Sequence, residues 1–182
     1  MDPAAARGPS TRRLETLGAV VVIAAGTLLH DAYGWSGHVR PVGLVAPVNE
    51  SVWEHLKLVL VPVIAYAGVE AVWITDRARL WWAKLVEVVM ASVFIVAFFY
   101  TYTGALGVGS AVPVDIASYC VAVVGGQWVS ERLLVGPGTW RPPLAASVAA
   151  LGVLVVLFAV LTYAPPHVPL FRELSTGRYG PG

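Results

Sequence analysis

Charge is what this sequence is short of. Asp, Glu, Lys and Arg make up 13% of its 182 residues, against about 25% in an ordinary soluble domain. A net charge of +1 and an isoelectric point near 7.9 leave no basic face of the kind a nucleic-acid partner requires. The single cysteine, Cys120, excludes an internal disulfide and reads as a small buried apolar residue. Neither a His-x-x-x-His nor a His-Glu-x-x-His string occurs, so no helix carries a ready-made metal motif. No internal repeat or extended low-complexity tract stands out.

What fills the chain instead is apolar: 57% hydrophobic residues and a mean hydropathy of +0.72 describe an integral membrane protein. Five stretches approach the roughly 20 residues that cross a bilayer as a helix: Leu14 to about Trp35, then about Ser51–Thr75, Leu80–Gly104, Val112–Val135 and Pro143–Tyr163. The first lacks a small-x-small cleavage site and is followed by further spans, so it reads as an uncleaved helix rather than a signal peptide. The expected fold is therefore all-α, an integral membrane bundle of five transmembrane helices (14–163). A disordered cytoplasmic tail (1–13) precedes it and a Pro-rich extracytoplasmic tail (164–182) follows.

Arg7, Arg12 and Arg13, then Arg77 and Arg79, then Arg132 and Arg141 fall on one side of such a bundle. Positive residues favour the cytoplasm, so the N-terminus is expected inside and the C-terminal tail outside. Trp35, Trp53, Tyr100 and Tyr102 then form an outer aromatic belt, and Trp73, Trp81, Trp82, Trp128 and Trp140 an inner one. In the tail, Pro165, Pro166 and Pro169 favour an extended path, and Leu170 and Phe171 give it something apolar to dock.

The scarce polar residues sort into two groups. On the outer side lie His30, Asp31 and Tyr33; Asn49, Glu50, Glu54 and His55; Tyr100 and Tyr102; Asp115 and Tyr119; and His167 in the tail. Near the inner face lie Glu70, Lys84, Glu87, Gln127 and Glu131. Ionisable groups inside a span are costly unless they pair or line a wet cavity. Lys84 and Glu87, three apart, can pair on one helix face, with Glu70 a further partner. Ser51-x-x-Glu54 fits a capping box, in which Ser51 takes the Glu54 N–H and the Glu54 carboxylate reaches back. Capping leaves His55 and the His30-Asp31 pair unexplained. If His30, His55, Glu54 and Asp115 meet across helices, two imidazoles with a carboxylate suit a divalent metal such as zinc (ligands His30, His55 and Glu54). The same four also serve as general acid/base groups. Asp31, Tyr33, Trp35, Asn49, Glu50, Trp53, Tyr102 and Tyr119 are the candidate ligand-binding residues around them. Pro62 should kink the second span and free a carbonyl near Leu58, and Gly125-Gly126 permits close packing or a bend.

His30-x-x-Tyr33-x-Trp35-Ser36-Gly37, the string from Pro47 through Asn49-Glu50-Ser51-Val52-Trp53-Glu54-His55 to Leu58, and the tail around Pro165–Phe171 and Thr176–Gly180 together resemble a bacterial family of small multipass membrane proteins without an assigned function. The resemblance covers nearly the whole chain and implies a prokaryotic inner-membrane protein with its signature gathered on one face. It implies no activity. Three functions compete on these residues: a metal-assisted or acid/base enzyme on a lipid-type substrate, a small transporter or channel joining the two polar groups, and a scaffold that binds lipid or a partner without turnover. Five helices are few for a monomeric carrier, so the second expects a homo-oligomer.

Overall fold

A computed structural model describes residues 9–137 and 141–181. Trp140 of the expected inner belt and residues 1–8 of the expected N-terminal tail lie outside the described residues. The chain forms α1 (Thr11–His30), α2 (Ala32–Trp35), α3 (Arg40–Gly43), α4 (Val52–His55), α5 (Lys57–Trp73), α6 (Arg77–Leu106), α7 (Val112–Val135) and α8 (Leu144–Tyr163), then a 3₁₀ turn at Pro169–Phe171. Among the described residues, five helical stretches are long and apolar enough to cross a membrane: Thr11–His30, Val52–Trp73, Arg77–Leu106, Val112–Val135 and Leu144–Tyr163. The all-helical, five-span reading of the sequence holds.

The limits of the spans shift for local reasons. Ser10 accepts the Arg13 N–H and starts α1 at Thr11, so Arg12 and Arg13 belong to its first turn. The helix ends at His30 rather than near Trp35, because Tyr33 turns inward to burial on a separate short turn. Gly37 and His38, both at positive φ (72° and 64°), then reverse the chain, a conformation that glycine adopts without steric cost. The second span is interrupted at Leu56, between α4 and α5. Asp76 caps α6 through the Arg79 N–H at 3.1 Å, so the helix starts at Arg77, three residues before the expected Leu80.

The bundle is apolar outside and polar at selected points inside. Val20, Leu28, Val72, Val93, Val153 and Val156 all project outward, an apolar exterior of the kind a lipid bilayer covers. Inside, Val22, Leu60, Val63, Val88, Ile95, Val123 and Phe158 form the main core. Small residues bring the helices close. A Cβ on Gly26 would lie 2.7 Å from the carbonyl oxygen of Leu58, and one on Gly126 would lie 3.0 Å from Glu87 Cγ, whereas Gly125 faces open space.

A buried ion pair fixes the start of the second span. Lys57 Nζ donates to Glu54 Oε2 (2.6 Å) and to the carbonyls of Gly43 (2.7 Å) and Ala46 (3.2 Å). Glu54 also accepts from the Val48 N–H (3.0 Å) and the Thr162 hydroxyl (2.9 Å). One carboxylate thereby joins the α3–α4 loop, α4 and α8. The C-terminal tail folds back over the same end. Phe171 packs on Trp53 (ring centroids 4.7 Å), which stacks on Phe158 (4.1 Å), and Asn49 Nδ2 donates to the Gly180 carbonyl at 2.9 Å.

Candidate metal centre

At the His30 end of the bundle, α1 and α4 bring two imidazoles face to face. His30 is the last residue of α1 and His55 the last of α4, and their Nε2 atoms stand 3.3 Å apart. Glu50 precedes the Ser51 N-cap of α4, where the backbone has not yet entered the helix. Its Oε2 lies 3.3 Å from His55 Nε2 and 3.7 Å from His30 Nε2.

The outer nitrogens fix the tautomers. His55 Nδ1 lies 2.8 Å from the Ser51 carbonyl oxygen, which can only accept, so Nδ1 carries the proton. His30 Nδ1 lies 3.2 Å from Asp31 Oδ1, and the same logic applies to an ionised carboxylate. In the neutral rings both Nε2 atoms are then bare lone pairs. Together with Glu50 Oε2 they form a triangle of three acceptors with no donor among them. Such a triangle is repulsive until a cation or a proton enters it. When a proton enters it, donation from His30 and then His55 to Glu50 holds that carboxyl well below the usual carboxylate range, so Glu50 is ionised in either case.

The triangle opens on a cavity of about 710 Å³. Its walls are mainly apolar, with Ile23, Leu58, Ile95, Phe99 and Ile116 among them. Asp31, Asp115 and Tyr119 also line it. The imidazoles are 35% and 30% exposed, enough for their shared face to be reached from this space.

Of the residues singled out in the sequence, His30, Asp31, Glu50, His55, Asp115 and Tyr119 share this cavity. Asp115 stands on the α7 wall, accepting from Tyr102 Oη (2.6 Å) and from the Ser110 hydroxyl. Glu54, expected beside the two histidines, instead turns into the protein toward Lys57. The capping box is half formed: Ser51 Oγ accepts the Glu54 N–H at 3.3 Å, but the Ser51 N–H goes to Asn49 Oδ1 at 2.9 Å. Tyr33 is buried against His38, Trp53 lies under the tail, Asn49 fastens that tail, and Trp35 faces outward, 69% exposed.

A sequence model of a family described as a family of unknown function (DUF6512) matches residues 6–181. The chain belongs to that family. No curated protein and no solved structure matches it.

Proposed function

For this member of a family without an assigned activity, we propose a metal-dependent enzyme of the membrane that hydrolyses a lipid-type substrate, with His30, His55 and Glu50 as ligands of one zinc-like ion. The observation that carries this reading is the acceptor triangle. Tetrahedral zinc with N and O ligands at about 2.0–2.1 Å needs ligand atoms about 3.3–3.4 Å apart. The three edges here are 3.3, 3.3 and 3.7 Å. Asp31 and the Ser51 carbonyl hold the outer ring nitrogens, as the supports of ligating imidazoles do. Three protein ligands with a fourth position toward a cavity is the arrangement of catalytic rather than structural zinc.

A metal at this point supplies Lewis acidity toward a substrate oxygen and a water. The chain's own groups do the rest. The apolar walls take an acyl chain and exclude water around it. Asp115, on the α7 wall of the same cavity and held by Tyr102 and Ser110, is the candidate acid/base group. The arginine distribution supports placing this end on the extracytoplasmic side of a bacterial cytoplasmic membrane, where a lipid headgroup would reach the mouth from the bilayer surface.

Elemental mass spectrometry of detergent-purified protein tests the proposal, beside a His30→Ala/His55→Ala variant and Glu50→Gln. About one transition-metal ion per chain, absent from the double variant and depleted in Glu50→Gln, is expected. The same metal-loaded sample should cleave phospholipid esters and stop on chelation. A folded, metal-free protein that rebinds no zinc sinks it.

A further inference from the structure

A second polar site lies near the opposite end of the same bundle. Lys84 on α6 is fully buried, and five acceptor oxygens surround its ammonium. These are Glu15 Oε2 and Oε1 (2.9 and 3.1 Å), Glu70 Oε2 (2.9 Å), Glu87 Oε2 (3.0 Å) and Gln127 Oε1 (3.3 Å). Ser130 Oγ donates to Glu15 at 2.8 Å. The groups come from four helices: Glu15 from α1, Glu70 from α5, Lys84 and Glu87 from α6, Gln127 and Ser130 from α7. Each is at most 2% exposed. Tyr66 of α5, close by, is occupied with the Leu14 carbonyl.

Three carboxylates around one ammonium leave two negative charges in excess, in a place without bulk water. Buried charge of that kind is not sustained unpaired; the group neutralises instead. The hydrogen bonds say where. An ammonium has three protons to give, and Glu15 receives from both Lys84 and Ser130. Glu70 Oε1 and Glu87 Oε1 have no donor at all, and Gln127 Nε2, on an amide whose oxygen already faces Lys84, has no acceptor. Glu70 Oε2 touches the ammonium without a well-directed hydrogen bond.

We propose that this cage is a proton-binding site: Glu70 and Glu87 each hold an exchangeable proton at neutral pH, while Glu15 and Lys84 form the ionised pair. Two protons, one ammonium and three carboxylates sum to zero charge. The site is distinct from the histidine cluster, since fifteen residues of α1 separate Glu15 from His30, about 22 Å of helix. Its ligand is the proton, and it stands whether or not the other end binds metal.

Infrared spectroscopy of the wild-type protein in lipid at neutral pH tests this directly. A protonated-carboxyl stretch that shifts in D₂O is expected, reduced in Glu70→Gln and in Glu87→Gln. Because glutamine imitates a protonated glutamate, the first two variants should keep the wild-type melting temperature, and Glu15→Gln should lower it. No such band in the wild type, or a band indifferent to both variants, overturns the proposal and shows a bound cation or full ionisation instead. Melting losses in Glu70→Gln and Glu87→Gln equal to that of Glu15→Gln overturn it as well.

Discussion

The hydroxyl of Tyr119 lies 3.1 Å from the carbonyl oxygen of Leu58, the atom that Pro62 leaves without a helical donor. Proline has no N–H to give to the residue four before it. The same hydroxyl is 2.9 Å from the Val22 carbonyl, so one side chain of α7 ties α1 and α5 together behind the cavity. Tyr119→Phe keeps the ring and removes the donor. A buried carbonyl left unpaired costs about 1–3 kcal/mol, which should appear as a lower melting temperature in detergent. An unchanged melting temperature would mean that Leu58 finds another donor. Gly26→Ala should be worse, because a methyl at that position collides with backbone.

Acid should strip metal from the histidine cluster before it disturbs the fold. Both Nε2 atoms bind metal only when unprotonated, so protons compete with the metal for them. Metal content should therefore fall on acidification while the fold persists. Glu50, with its carboxyl held below the usual range, contributes stability that is fully present above the ordinary carboxylate pKa. That contribution is lost only as pH falls through the depressed value. Metal analysis and near-ultraviolet circular dichroism across one acid titration check the order. Simultaneous loss of both signals contradicts it.

Breaking the Glu54–Lys57 pair should be among the most damaging single changes. Glu54→Gln or Lys57→Met leaves a buried charge without its partner, a loss of about 3–5 kcal/mol. The double replacement should recover part of it, and a double-mutant cycle in chemical unfolding measures the coupling. Two single losses that simply add would show that the residues act separately.

Truncating Phe171 to alanine should uncover Trp53. Removing a buried phenylalanine costs about 3–5 kcal/mol, here concentrated on the docking of the tail. Faster proteolysis after residue 164 and a red-shifted tryptophan emission are expected, with α1–α8 otherwise intact. A tail equally protected in the variant would place its anchorage at Asn49 instead.

The five spans were legible because hydropathy over some twenty residues is a strong signal. The cluster of the two histidines was legible too, from polar residues that have no business in an apolar chain. Its carboxylate was not. Glu54 and His55 are consecutive in a helix, so their side chains diverge by about 100° and only one can face α1. Glu50, before the helix begins, has the freedom to fold back. Glu15 escaped notice for a related reason: beside Arg12 and Arg13 it looks like a surface charge, and only packing of α1 against α5 and α7 buries it. Lys84 and Glu87 showed themselves as a pair three apart, but a single sequence does not count how many carboxylates share one ammonium.

Leu174 and Ser175 help wall the cavity, although His30 and His55 stand more than a hundred residues earlier. The chamber is therefore completed by residues synthesised long after both imidazoles and after all five helices. A nascent chain can insert all five helices and bring its two imidazoles together while one wall is still unsynthesised. That wall then waits for residues 174 and 175, so a chain translated only through its fifth helix has an unfinished chamber in which to hold a ligand.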